Sequence, residues 1–515
     1  MNHSKYKPII GANIFSYYGS YLCIFEDMQD HLLYLSITRS PEKRIQRKNL
    51  IRLIPELDNK PLSYTYSITP GALILKTTVG TIEFSFGDKN TLRIRGRKIA
   101  LHLSVSVIPF ENASPSEDGG LEIAYTMLGK MLIRPICGAM WHNAKWIPKS
   151  ASLDSLEIVL LPSQETGVFE TVVHEYYSNA VKPDSYVPFD DCVQRSEELF
   201  ANYLASFPFS PALCFDKHRL AVWNIFTHVL APFMNIKRNA LFESRTQVVK
   251  AIGWQQALMA LITEDTNFMN GLFDLQIANG QLPIYFADFG KSYTWSHIPL
   301  LAFCLTDECA TDTLLGLVAY LKWWITQRDF SGTGIPEIIF AEENCISGPC
   351  ETREAYPLVS PVLITSLILL IDYISTHPEK TKIEQSSFFE TDAKKRLLSC
   401  LETLWTDNGY ANKTAKGELT APDPVMSLIP IALNSYLPEH LLEKLLNLCA
   451  GVSVSSSAPL SAILLIRSLQ ISGNFDLSIK LGREYISSVS IESLSKDNAL
   501  MSIAYLYAEK IASKY

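Results

Sequence analysis

Charge is scarce in this chain: 19% of its 515 residues are Asp, Glu, Lys or Arg, and they sum to −8. No basic stretch extends beyond a few residues. Lys43-Arg44 with Arg47-Lys48, and Arg93 to Lys98, read as solvated strand and loop positions. A surface of this sign argues against a nucleic-acid partner. The N-terminus, Met1 to Pro8, lacks the apolar stretch of a signal peptide. The most apolar run, 361–374, is broken by Asp372 and falls short of the roughly 20 residues that a membrane span requires. It reads as a buried helix, and the expected setting is cytoplasmic, away from membranes. The ten cysteines form two close pairs, Cys304/Cys309 and Cys345/Cys350, neither with the spacing of a zinc site. Reduced, mostly buried thiols are expected, with a Cys345–Cys350 disulfide as the alternative. The chain also lacks HExxH, Walker, dinucleotide-glycine and nucleophile-elbow patterns, so neither a metal nor a nucleotide cofactor is expected.

What is present is apolar surface in two distinct rhythms. Hydrophobic residues make up 47% of the chain, enough for a sizeable core and more than one domain at this length. The first part alternates with period two. Ile82, Phe84 and Phe86 share one face, and Gly87 to Asn90 supplies a turn. Leu92 and Ile94 continue the pattern, and so do Ile99, Leu101, Leu103, Val105 and Val107. Similar segments at 21–25, 31–38, 73–78, 156–161 and 169–174 predict an antiparallel β-sandwich over residues 1–182. Residues 183–211 read as a linker with a helix inside it. From there the period becomes helical. Segments are predicted at about 213–231, 247–263, 266–279, 297–307, 311–328, 358–375, 392–406, 424–435, 438–449, 458–472, 476–489 and 497–513. Twelve helices in six hairpins, with long loops on one side, fit an (α/α)6 toroid over 212–515. The predicted class is therefore α+β and multidomain. A helical-repeat solenoid fits less well, because the segments share no recurring signature.

The stretch from Tyr320 to Glu337 carries the strongest functional hint. A helix bearing Trp323 and Trp324 runs into Arg328-Asp329, a glycine turn at Gly332 and Gly334, and then Pro336-Glu337. Rings stack on the apolar faces of pyranoses, and carboxylates accept hydrogen bonds from hydroxyls, so the pattern suits a sugar pocket.

Several strings in order resemble the clan of inverting glycosidases that contains family 63 and the mannosylglycerate-hydrolase-like enzymes. They are Leu220 to Phe226 with Ala231-Pro232, Gly253-Trp254, Asn279 to Pro283, Trp324 to Glu337, Ser360-Pro361, Asp407 to Tyr410 and Leu428 to Pro430. The resemblance implies a sugar-cleaving mouth in the toroid, and the chain departs from it at the acids. The clan usually places Asp after the inner-helix Trp, where this chain has Gln255. The clan's general acid falls at about Ser347, with Glu343 at an earlier acidic position. The Asp that often follows Ser-Pro is Val362, and Ser456 to Pro459 replaces a Trp-Arg-Gly-Pro segment. Glu492 is the carboxylate near the shortened late loop. Inverting hydrolysis needs one protonated and one ionised carboxyl, and neither serine nor glutamine can replace them.

The candidates follow from this. Glu343, Glu342 and Asp288 are the replacement acids, against the plainer reading of charged or turn-forming loop residues. Trp254, Gln255, Glu243, Arg245, Trp295, Trp324 and Glu337 are the candidate ligand contacts, although aromatics at helical spacing more often pack a core. His297 reads as a structural hydrogen-bonder, and Arg328-Asp329 as a pair at the helix end. The expected partner is a small carbohydrate-like molecule. The functional expectation is a diverged glycosidase acting on a small α-linked sugar or sugar-like molecule. The alternatives are a catalytically inactive carbohydrate-binding or scaffold protein, and a toroid reused for non-hydrolytic biosynthetic chemistry.

Overall fold

The structure is a computed structural model that describes residues 7–39, 48–117, 119–147, 153–178, 185–210, 213–247, 249–306, 311–343, 355–377, 392–420 and 423–513. Ser347 and the Cys345/Cys350 pair lie outside these residues, as does Cys309. The cysteines within them are all free thiols.

The N-terminal part is a sandwich of two eight-stranded antiparallel sheets. One runs Ile14–Ser16, Leu22–Glu26, Leu33–Ile37, Ile51–Leu57, Ala100–Val105, Leu153–Leu161 and Ala139–Trp146, with Lys60–Pro61 paired to Ile51–Leu57. The other runs Asn112–Pro115, Leu121–Tyr125, Gly129–Cys137, Val168–Tyr176, Thr91–Arg97, Thr81–Asp88, Leu73–Lys76 and Thr65–Ile68. Alternation places Ile82, Phe84, Phe86, Leu92 and Ile94 in the core, as the period-two pattern predicts. The turn is tighter than the sequence suggests. Gly87 stays in its strand beside a bulge between Phe86 and Asp88, and the backbone N–H of Asn90 donates to Asp88 Oδ1 at 2.7 Å. Gly96 pairs with Phe169, whose ring crosses the strand. A Cβ at Gly96 would lie 2.0 Å from that ring.

The helix Phe189–Ala205 lies against the strands Thr81–Asp88 and Thr91–Arg97. Its Phe200 meets Trp223 edge-on at 5.2 Å, and Trp223 stacks against Phe15 at 6.3 Å. Sandwich, connecting helix and helical part thereby share one continuous core.

The helical part closes on itself. Six inner segments pack in succession: Gly253–Thr263, Leu300–Cys304, Pro361–Ser375, Met426–Tyr436, Pro459–Ile471 and Ala499–Ala512, the last returning to the first. Six outer helices cover them: Phe215–His228, Asn267–Phe273, Thr311–Gln327, Lys394–Thr403, Glu439–Gly451 and Phe475–Ser488. This is an (α/α)6 toroid. Two inner members are 3-10 rather than α-helical. The predicted 297–307 segment shrinks to Leu300–Cys304 because Pro299 stands at its start. Pro430 lies inside Met426–Tyr436 and offers no N–H. The N-terminal ends of the inner segments, with the long loops that lead into them, form one mouth. Among the described residues no helix is long and apolar enough to cross a membrane.

Candidate functional site

The first inner helix is seated at the mouth by a small sheet. Ala251 and Ile252 pair with Phe286 and Tyr285, and the latter strand pairs with Lys291–Ser292. Gly253 passes so close to Pro283 that a Cβ would lie 2.8 Å from its carbonyl oxygen. Gln256 then locks the helix: its Oε1 accepts from Leu241 N at 2.9 Å, and its Nε2 donates to Leu241 O at 2.8 Å. Its neighbours Trp254 and Gln255 are also buried, at 7% and 0% exposure. Yet, among the described residues, the indole N–H of Trp254 and both amide atoms of Gln255 have no hydrogen-bond partner. Leaving such groups unpaired costs about 1–3 kcal/mol each.

Partly exposed polar side chains stand on the segments that lead into this helix. Glu243 Oε2 lies 3.7 Å from Lys250 Nζ, and Lys250 sits 5.5 Å from the centre of the Tyr285 ring. His297 shares a small cleft of about 20 Å³ with Trp254, Ser296 and Tyr320. Burial pushes the Glu243 carboxyl above its ordinary range, and the Asp497 charge adds to this while Lys250 opposes it. Burial and the Lys250 charge push His297 down to about 4, so its ring is neutral at physiological pH.

The other candidates serve the backbone. Glu343 is fully buried. It pairs with Arg328, accepts from Ser296 N at 3.1 Å and Ile339 N at 2.7 Å, and takes a longer bond of 3.4 Å from Phe340 N. Glu337 accepts from Phe330 N, Ser331 N and the Ser331 hydroxyl at 3.0, 2.9 and 2.6 Å. Asp329 does not pair with Arg328. It accepts from Thr333 N and Gly334 N, both at 2.8 Å, which shapes the glycine turn. Arg328 instead lies 5.3 Å from the ring centre of Trp324, whose indole N–H lacks a partner among the described residues. Trp295 is half-exposed and meets Phe340 at 6.1 Å. The Glu342 side chain lies outside the described residues.

Asp288 and Arg245 are turned toward the sandwich. Asp288 is buried and accepts from the Tyr21 hydroxyl at 3.4 Å. Arg245 is fully buried. It donates through Nε to Thr38 Oγ1 at 3.0 Å, through Nη2 to Ser20 O at 2.9 Å and through Nη1 to Thr227 O.

Asp497, which no sequence motif marked, anchors the neighbouring loop. It accepts from His228 Nε2 at 2.7 Å, from Arg245 N at 3.0 Å and Thr246 N at 2.7 Å, and from the hydroxyls of Ser244 and Thr246. Burial alone would raise its pKa. The His228 bond and charge, with the bonds from Arg245 and Ser244, reverse that and hold the carboxylate well below its usual range. Among the described residues no group of three His, Cys, Asp or Glu side chains is placed to hold a metal ion.

No protein-family model and no curated protein matches the sequence. Solved structures do match. The GH92 family glycosyl hydrolase CcMan5 shares 9% identity at a TM-score of 0.48, covering 94% of this chain and 76% of that one. The GH63 mannosylglycerate hydrolase from Thermus thermophilus, solved in complex with glucose, shares 13% at 0.45, covering 56% of this chain and 98% of that one. An uncharacterized conserved protein from the same organism shares 12% at 0.43, with 56% and 98% covered. At these identities and scores the likeness is one of chain course and does not speak to activity or to individual side chains.

The structure brings Glu243 to Lys250, Lys250 to Tyr285, and His297 to Trp254. Asp288 and Arg245 face the sandwich instead, while Glu337 is bonded within its own loop and Glu343 to that loop and to Ser296 N. Lys250 and Tyr285 escaped the sequence reading. The helical segment predicted from 247 begins only at Gly253, after the strand Ala251–Ile252, and no local signal said which residues would meet.

Proposed function

We propose that this chain is a non-hydrolysing protein of glycoside-hydrolase-like fold whose toroid mouth holds a small polyhydroxylated, carbohydrate-like ligand. Trp254 and Gln255 would bind it from below, and Glu243, Lys250, Tyr285 and His297 from the rim. The observation that carries the loss of hydrolysis is the bonding of Glu343. Arg328 and backbone N–H groups occupy both of its oxygens, so it has no position from which to protonate a leaving group. Asp497 cannot act as the base, because five donors already fill its lone pairs. The ligand reading draws support from the unpaired Trp254 indole and Gln255 amide. A hydroxyl both donates and accepts, and would satisfy them.

One observation favours hydrolysis. Glu243 is a half-buried carboxyl pushed upward, the direction a general acid requires. Incubating the protein with α-glucosides, α-mannosides and trehalose separates the two readings. No released sugar is expected, while the free sugars raise the melting temperature. Gln255→Leu should abolish that shift and raise the basal stability by about 1–3 kcal/mol, by removing two unpaired buried polar atoms. Sugar release that disappears in Glu243→Gln would restore the enzyme reading, with Glu243 as its acid.

A further inference from the structure

At the end of the toroid remote from Trp254, where the inner segments finish, lies a second cavity of about 420 Å³. Its walls are the last turns of Gly253–Thr263, Pro459–Ile471 and Ala499–Ala512, together with the end of Leu300–Cys304. The volume falls in the range of small-molecule sites, roughly 300–1,000 Å³. One side is apolar, formed by Ala260, Leu261, Met269, Leu305 and Ile511. The polar side is rich in donors.

Two cations line the cavity, and among the described residues only Lys510 is paired with a carboxylate. Lys510 Nζ donates to Leu261 O and Ile262 O at 3.1 Å and pairs with Glu264 at 2.8 Å. It is thereby spent on a helix C-terminus and a carboxylate. Arg467 donates through Nε to Phe303 O at 2.7 Å, which fixes the plane of its guanidinium. Among the described residues it has no carboxylate partner. Its charge acts on Tyr507 and Cys304, and its guanidinium also bonds the Tyr507 hydroxyl. The Tyr507 hydroxyl donates to Gln470 Oε1 at 2.8 Å, and this orients the Gln470 amide so that its N–H₂ end is left to donate. With Glu264 matched by Lys510, the described lining residues carry one unbalanced positive charge. A fixed guanidinium presents two parallel donors that match the two oxygens of a carboxylate or phosphate.

We propose that this cavity binds a small organic anion, its carboxylate or phosphate head on Arg467 and Gln470 and its apolar body against Ala260, Leu261, Met269 and Ile511. The site is independent of the mouth, so it stands whether or not a sugar binds there.

The test uses the full chain with three probes of one shape: benzoate, phenyl phosphate and neutral benzamide. Titration calorimetry should show one of the two anions binding at least tenfold more tightly than benzamide. Which anion wins identifies the head group. Arg467→Gln should weaken that binding at least tenfold, while Glu243→Gln at the mouth leaves it unchanged. Should Arg467→Gln fail to fold, Ala260→Leu serves in its place. Its added carbons enter the cavity and should block the anion while the melting temperature holds or rises. Equal binding of benzamide, no binding of either anion, or retention of anion binding in Ala260→Leu would overturn the proposal.

Discussion

Asp497 shows how much of the mouth depends on a single side chain. It gathers donors from the end of Phe215–His228 and from the loop after Leu241, 252 residues away in sequence from Arg245. A buried carboxylate is tolerated only when its lone pairs are filled, and here they are. Asp497→Asn keeps the shape but loses the charge, and it turns one acceptor oxygen into an amide donor that faces other donors. It should cost about 3–5 kcal/mol near neutral pH, the scale for breaking a buried ionic network. The sign of the pH dependence follows from the downward shift. A carboxyl whose pKa is depressed by folding adds stability above its unfolded pKa of about 3.9, and that stability is lost as the pH falls through and below this value. Urea midpoints at pH 6, 4 and 3 should therefore converge for wild type and Asp497→Asn. A constant difference between them would show that the charge of Asp497 is not what stabilises the loop.

At the scale of the element, the segment from Arg328 to Glu343 is a loop that carries its own scaffold. Asp329, Glu337 and Glu343 each turn their oxygens onto backbone N–H groups, so a stretch with little regular structure still has many of its backbone donors paired. Glu343→Gln should leave the buried Arg328 without its counter-charge and cost about 3–5 kcal/mol. Amide hydrogen exchange should quicken either at Ser296 or at Ile339 and Phe340, whichever side faces the new amide N–H₂, and stay slow at Phe330 and Ser331, which Glu337 holds. Uniform exchange across the loop would mean that the two carboxylates do not act separately. This loop also marks where the sequence stops being legible. The helices before and after it announce themselves through apolar period and flanking Pro, so Thr311–Gln327 and Pro361–Ser375 lie within a few residues of their predicted bounds. Strand alternation exposed Thr81–Asp88 in the same way. An acidic loop beside tryptophans, by contrast, reads the same whether its carboxylates face a sugar or their own backbone. Glu343 is separated from Ser296 by 47 positions, and no local pattern records that meeting.

For the whole molecule, the question is whether sandwich and toroid are separable. Trp223 donates its indole N–H to Ile14 O at 2.9 Å, and the Tyr21 hydroxyl donates to Ala231 O at 3.0 Å. Gly19 N donates to Val229 O at 3.0 Å, and Ala231 N returns a bond to Gly19 O at 3.1 Å. Arg245 drives a full positive charge into this junction and ends on oxygens of Ser20, Thr38 and Thr227. An interface with a continuous apolar core and buried polar bonds should unfold together with the parts it joins. A single urea transition is expected, with far-ultraviolet circular dichroism and tryptophan fluorescence superimposing. Arg245→Met tests the polar component. Three buried oxygens lose their donor, each costing about 1–3 kcal/mol. Part of that loss is offset by removing a buried charge that has no carboxylate in direct contact with its guanidinium among the described residues. If the bonds of Arg245 couple the two parts, the variant should separate the two signals. Trp141 and Trp146 stand on an edge strand of the sandwich, whereas Trp223, Trp254, Trp295, Trp323, Trp324 and Trp405 lie in the helical part. Fluorescence would then follow the toroid, and the β-signal the sandwich. Coincident transitions in Arg245→Met, at a lower midpoint, would assign the coupling to the shared apolar core around Trp223 and reduce Arg245 to a local bond.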